Sequence, residues 1–175
     1  MLKHITLATV ALLSSVSLSV ATDAAGYTEH LGSLMEGGRG ALRKIEGNET
    51  LTTLASFKPP VDIVIEGKTN SDNLRITYAG RFIFNWEITR TQLRVSGGPA
   101  DGKHKAGAGV IPTNKFVTIR WVVTPKKQTL FVDGQPRYEH EGDYSTIESP
   151  VSISTYNAAV TIKSIRVKQL PPGTE

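Results

Sequence analysis

Phe116 to Glu139, FVTIRWVVTPKKQTLFVDGQPRYE, restricts the fold more than any other stretch of this chain. Val117, Ile119, Trp121 and Val123 alternate with Phe116, Thr118, Arg120 and Val122, which is the period of a strand with one face in a core. Pro125-Lys126-Lys127 ends the run, because proline has no N–H to give a ladder and paired lysines favour solvent. A second run, Gln128 to Val132, meets Asp133-Gly134, a strong short signal for a tight hairpin turn. Gln135 to Glu139 carries the chain back. Three strands and two turns make a meander, and a meander needs a second layer over its apolar face. The expected fold class is all-β, an antiparallel β-sandwich.

The remaining sequence reads as hairpins in series, with no helix-period segment long enough to cross over a parallel sheet. Thr50 to Phe57 is a strand closed by Lys58-Pro59-Pro60, and Val61, Ile63 and Ile65 alternate in the next. Asn70-Ser71-Asp72-Asn73 is a polar turn, after which Leu74, Ile76 and Tyr78 alternate up to the turn at Ala79-Gly80. In Arg81 to Ile88 the alternation puts Phe82, Phe84, Trp86 and Ile88 on one face and Ile83, Asn85 and Glu87 on the other. Leu93 and Val95 continue the core. Gly97 to Gly109 is the longest loop, either functional or a close crossing of the sheet edge. Val151 to Thr155 and Val160 to Gln169 close the fold, with a phase change that predicts a bulge near Lys163-Ser164.

These patterns divide the chain into a leader at 1–21, an irregular segment at 22–48, the sandwich at 49–170 and a tail at 171–175. Gly26 to Gly47 is glycine-rich, and Leu31, Leu34 and Met35 allow one helical turn before Gly37-Gly38. Met1 to His4 is positive, Ile5 to Val20 is apolar, and Ser19 and Ala21 are the small residues a signal peptidase needs, with cleavage expected after Ala21 and Ala24 or Ala25 as the alternatives. No membrane span is expected once the leader is removed. There is no cysteine, so there is neither a lipid-bearing cysteine nor a disulfide. A bacterial periplasmic, secreted or cell-surface protein is therefore expected. Without Lys3, 19 of the 20 lysines and arginines face 16 acids, about +3, with the charges scattered singly. No basic stripe with interleaved aromatics marks a nucleic-acid binder.

On Val117 to Val123, the break at Pro125-Lys126, Leu130-Phe131-Val132-Asp133-Gly134 and the closing strand Val160 to Val167, the chain resembles the concanavalin A-like lectin/glucanase superfamily. Among its members the likeness is to laminin G-like domains of exported bacterial proteins, over roughly Leu51 to Leu170. The resemblance implies a jelly-roll arrangement with an outward groove that in relatives binds glycans, sometimes with calcium. It also covers lectins, hydrolases, lyases and adhesion modules, so it does not choose among them.

Alternation places Arg75, Thr77, Asn85, Glu87, Arg94, Thr118 and Arg120 on outward faces. Asn85, Glu87, Arg94 and Arg120 would supply paired hydrogen bonds to a sugar, with Tyr156 as a stacking ring and Asn157 beside it. The same residues also fit a plain solvated face with cross-strand Glu–Arg pairs. Trp86 and Trp121 share the parity of their apolar neighbours, so both are expected in the core. His104, between two lysines in the glycine loop, is either a base or ligand or ordinary surface. The Glu-x-Asp-x-x-Glu order of the superfamily's glucanases is absent, and Glu139-His140-Glu141-Gly142-Asp143 is the nearest acidic cluster, open to calcium. The expected function is non-catalytic binding of a polysaccharide or cell-surface glycan. A glycoside hydrolase or polysaccharide lyase of the same fold, and a structural or protein-interaction module of the envelope, are the alternatives.

Overall fold

The structure is a computed structural model that describes residues 22–31 and 42–175. The leader expected at 1–21 and the helical turn read at Leu34 and Met35 lie outside the described residues. Twelve strands follow in chain order: β1 (Thr28–Glu29), β2 (Arg43–Gly47), β3 (Thr50–Phe57), β4 (Val61–Thr69), β5 (Leu74–Thr77), β6 (Arg81–Phe84), β7 (Arg94–Ser96), β8 (Val117–Val123), β9 (Lys127–Val132), β10 (Gln135–Glu141), β11 (Ser149–Ser154) and β12 (Ala158–Gln169). They form a seven-stranded antiparallel sheet, ordered β1-β12-β4-β8-β9-β10 with β2 also on β12, and a five-stranded one, ordered β3-β11-β5-β6-β7.

The meander expected from Phe116 to Glu139 is β8-β9-β10. Val117, Ile119, Trp121 and Val123 all point into the core, and Trp121 sits opposite Ile63 of β4 on one side and Leu130 of β9 on the other. Asp133 and Gly134 make the turn with φ of 49° and 77°, the paired left-handed residues that a tight hairpin requires. From the facing sheet, Ile76, Phe82, Phe84, Val95 and Ile153 complete one continuous core. Tyr78 and Phe82 meet the Trp121 indole edge-on, with centroids 5.9 and 4.9 Å away. In β12 the register against β4 shifts between Ile162 and Ser164, so Val160, Ile162, Ile165 and Val167 all reach the interior. The bulge lies where the phase change placed it.

Two expectations are corrected. The segment read as irregular supplies β1 and β2, which pair along β12 and cover Leu31 and Ile45. Runs of two and five residues, with a single buried side chain in the longer one, are too short to show a period. The strand read as Arg81 to Ile88 stops at Phe84, because Asn85 adopts a left-handed φ of 48°. That one residue turns the chain out of the sheet and resets the parity of the residues directly after it, Trp86 to Ile88.

Candidate functional site

The reset has a chemical result on the outer face of the five-stranded sheet. Arg75 from β5, Arg81 from β6 and Arg94 from β7 stand on neighbouring strands, and Trp86 and Glu87 fold back beside them after the Asn85 turn. Tyr156, from the β11–β12 connection, completes the rim of a cavity of about 300 Å³. The Arg94 guanidinium lies 4.5 Å from the Trp86 ring centre, and that of Arg75 lies 5.0 Å from the Tyr156 ring. Each stack holds a flexible cation in one place. Arg75 also donates to Asn73 Oδ1 at 3.1 and 2.7 Å and to Glu87 at 3.5 Å.

Charge is unbalanced here. Three guanidinium groups surround the cavity, and Glu87 is the one carboxylate lining it among the described residues. Burial pushes the Arg75 pKa below its ordinary value; Glu87 opposes this, and the nearby Arg81 and Arg94 add to it. The Nε of Arg94 is buried and has no hydrogen-bond partner. His104 approaches Trp86 edge-on at 6.1 Å, and its Nδ1 accepts the Val95 N–H at 3.1 Å, which leaves Nε2 to carry the hydrogen of the neutral ring.

A second, more open cavity of about 640 Å³ adjoins the first, since Arg81 and Ser96 line both. Its walls are the β5–β6 turn, Gly97-Gly98 and the stretch from Thr146 to Ser149. Gly98 answers the question of the glycine loop in part: a Cβ there would meet the Ala79 carbonyl oxygen at 2.2 Å, and its φ is +67°. The chain crosses the sheet end too closely for any side chain.

No family model matches the chain, and no curated protein matches its sequence. Among solved structures it is similar to a β-glucanase of Bacillus licheniformis, with a TM-score of 0.59 and 10% identity over 85% of this chain and 100% of that one. It is similar as well to the carbohydrate-binding module CBM66 of Bacillus subtilis, with a TM-score of 0.54 and 9% identity over 82% and 96% of the two chains. The galectin LEC-6 of Caenorhabditis elegans matches at a TM-score of 0.52 and 11% identity over 72% and 96%. The fold is the concanavalin A-like jelly roll.

Within that jelly roll the side chains expected to bind are divided. Glu87, Arg94 and Tyr156 share the cavity, and His104 lies against its Trp86 wall. Asn85 does not face outward. It is fully buried, its Nδ2 donating to the Ser71 and Ile111 carbonyls at 3.0 Å each and its Oδ1 accepting the Ile111 N–H at 2.9 Å. Asn157 is a left-handed turn residue, φ 52°, whose N–H bonds the Gly47 carbonyl, and it does not line the cavity. Arg120 belongs to the other sheet. There it grips the buried Asp62 carboxylate through Nε and Nη2 at 2.6–3.1 Å, with Tyr27 donating to the same carboxylate at 2.9 Å.

Trp86 is buried as expected, but outside the core cluster. It is almost covered, but by Arg94 on the outside rather than by the core, and Ile88 beyond it is 73% exposed. The signal was Asn85 itself, since asparagine is among the few residues that enter the left-handed region readily. In the Glu139 to Asp143 cluster two of the three carboxylates are engaged, Glu139 with Thr129 and Lys127 and Asp143 with Ser145. His140 bonds the Tyr144 hydroxyl at 2.8 Å, and burial pushes the Tyr144 pKa up to about 12. Among the described residues no three His, Cys, Asp or Glu side chains group so as to hold a metal ion.

Proposed function

We propose that the protein is an exported, non-catalytic carbohydrate-binding module that uses the outer face of its five-stranded sheet. The observation that carries this reading is the Arg75–Tyr156 and Arg94–Trp86 pairs fixed around one cavity, with Glu87 between them. A pyranose presents an apolar face to a ring and pairs of hydroxyls to rigid donors and acceptors. Tyr156, 43% exposed, is placed for the first, and the arginines and Glu87 for the second. The two adjoining cavities, about 300 and 640 Å³, are of the size that small ligands fill and leave room for more than one sugar. The names of its structural neighbours, a β-glucanase, a carbohydrate-binding module and a galectin, support the same class of ligand.

The hydrolase alternative asks for two carboxylates about 5 Å apart in a retaining enzyme, or farther in an inverting one. Glu87 has no such companion in its own cavity among the described residues, and Glu148, which lines the adjoining one, is paired with Lys58 at 3.1 Å. An envelope module with a flat face is disfavoured by the cavity itself. Export rests on Met1 to Ala21, and protein recovered from the envelope fraction should have an intact mass that starts at Thr22. A mass that retains the leader would remove export from the proposal.

A glycan array probed with the purified protein tests the binding reading. Selective binding is expected, and Tyr156→Ala should weaken it by about tenfold or more. Because that ring is exposed, the substitution should change stability by no more than about 0.5 kcal/mol. Glycan binding that survives Tyr156→Ala intact would move the site off this face.

A further inference from the structure

We infer that the sugar recognised here is anionic, carrying a carboxylate or a sulfate ester that sits among Arg75, Arg81 and Arg94. The inference rests on the carbohydrate reading above and names the class of ligand within it. Neutral sugars need hydroxyl-matched donors and acceptors in comparable number. This cavity offers three guanidinium groups to one carboxylate, and Glu87 already bonds Arg75. Arg75 is further tied to Asn73, so the donors left for a ligand belong mainly to Arg81 and Arg94.

Arg81 bonds Thr77 through Nε at 3.3 Å and lines both cavities, at the seam where they meet. Arg94 is held over the Trp86 ring at 4.5 Å, with its buried Nε unpartnered. A guanidinium held in one plane is prearranged for two parallel bonds to an oxyanion, and the ordering cost is met before the ligand arrives. An oxyanion there would relieve the mutual repulsion of the three cations. Uronates and sulfated sugars share that chemistry. A phosphodiester would meet the same guanidinium groups, but Tyr156 is the one well-exposed ring among the residues lining this cavity, which gives successive bases little to stack on.

Titration calorimetry on the purified protein separates these cases. The probes are a uronic-acid tetrasaccharide with its carboxyl-reduced counterpart, a sulfated tetrasaccharide with its desulfated counterpart, and a short single-stranded DNA. At least one acidic sugar should bind about tenfold or more tighter than its neutral counterpart, since bonds to a charged group are the stronger ones. The preference should shrink as salt rises. Arg94→Gln should abolish it, and so should Arg81→Ala, whose exposed side chain makes it the safer variant for folding. Lys163→Gln, the same charge removed from a strand of the other sheet, should leave it intact. Neutral sugars bound as tightly as acidic ones would overturn the charge inference and leave the carbohydrate reading standing. DNA bound as tightly as the acidic sugars would overturn it too, as unselective attraction. No sugar bound in any form, by a protein that melts cooperatively, would remove both.

Discussion

Replacing Trp121 with alanine should cost about 3–5 kcal/mol of folding stability, the range for deleting a large buried aromatic. Trp121 is fully buried at the middle of β8 and at the centre of the contact between the sheets. Its loss would leave Tyr78 and Phe82 facing a void, since both pack edge-on against the indole. It would also strand the buried Gln128 Oε1, which accepts the indole N–H at 3.0 Å. Denaturant unfolding of Trp121→Ala and Trp121→Phe gives the magnitude, with the phenylalanine variant the milder of the two. A Trp121→Ala protein as stable as the parent would mean that the two sheets do not pack around this side chain.

Asn85→Ala should be nearly as damaging, at about 3–5 kcal/mol, because it deletes a side chain that satisfies three backbone groups, two of them buried. Alanine also tolerates the left-handed φ of 48° poorly. Asn85→Gly separates the two costs, since glycine relieves the backbone strain and still loses the bonds. If the bonds dominate, the glycine variant should stay within about 1 kcal/mol of the alanine variant. A glycine variant close to the parent would reassign Asn85 to backbone geometry alone. Either variant should loosen the turn that places Trp86 and Glu87, so sugar binding should weaken along with stability.

The contrast between Trp121 and Trp86 explains how far the sequence could be read. Trp121 lies in an unbroken alternation, and its parity gave the right face. Trp86 lies one residue past a left-handed asparagine, where alternation no longer counts faces, and the reading put it in the core. The same limit applies between strands. Parity said that Arg94 and Arg120 both point outward, which they do, but it carries no information on which sheet each strand joins. β7 and β8 are separated by the glycine loop and fall in different sheets, so Arg120 ends beside Asp62 rather than beside Arg94. Arg75 and Arg81 meet across the local β5–β6 hairpin, but Tyr156 joins them only through the pairing of β11 with β5, which no local window contains. Hairpin turns, the bulge in β12 and the alternating core were legible because each is written in a few adjacent residues.

The most direct test of the binding face uses the two tryptophans, the only two in the chain. Each gives one indole N–H signal in a nitrogen-correlated NMR spectrum, one from the wall of the candidate cavity and one from the core. Titration with an oligosaccharide selected on the array should move the Trp86 signal progressively to saturation. The Trp121 signal, bonded to Gln128 in the interior, should stay where it is. A saturable interaction that leaves the Trp86 signal unmoved would contradict the account and send the search to another face of the sandwich.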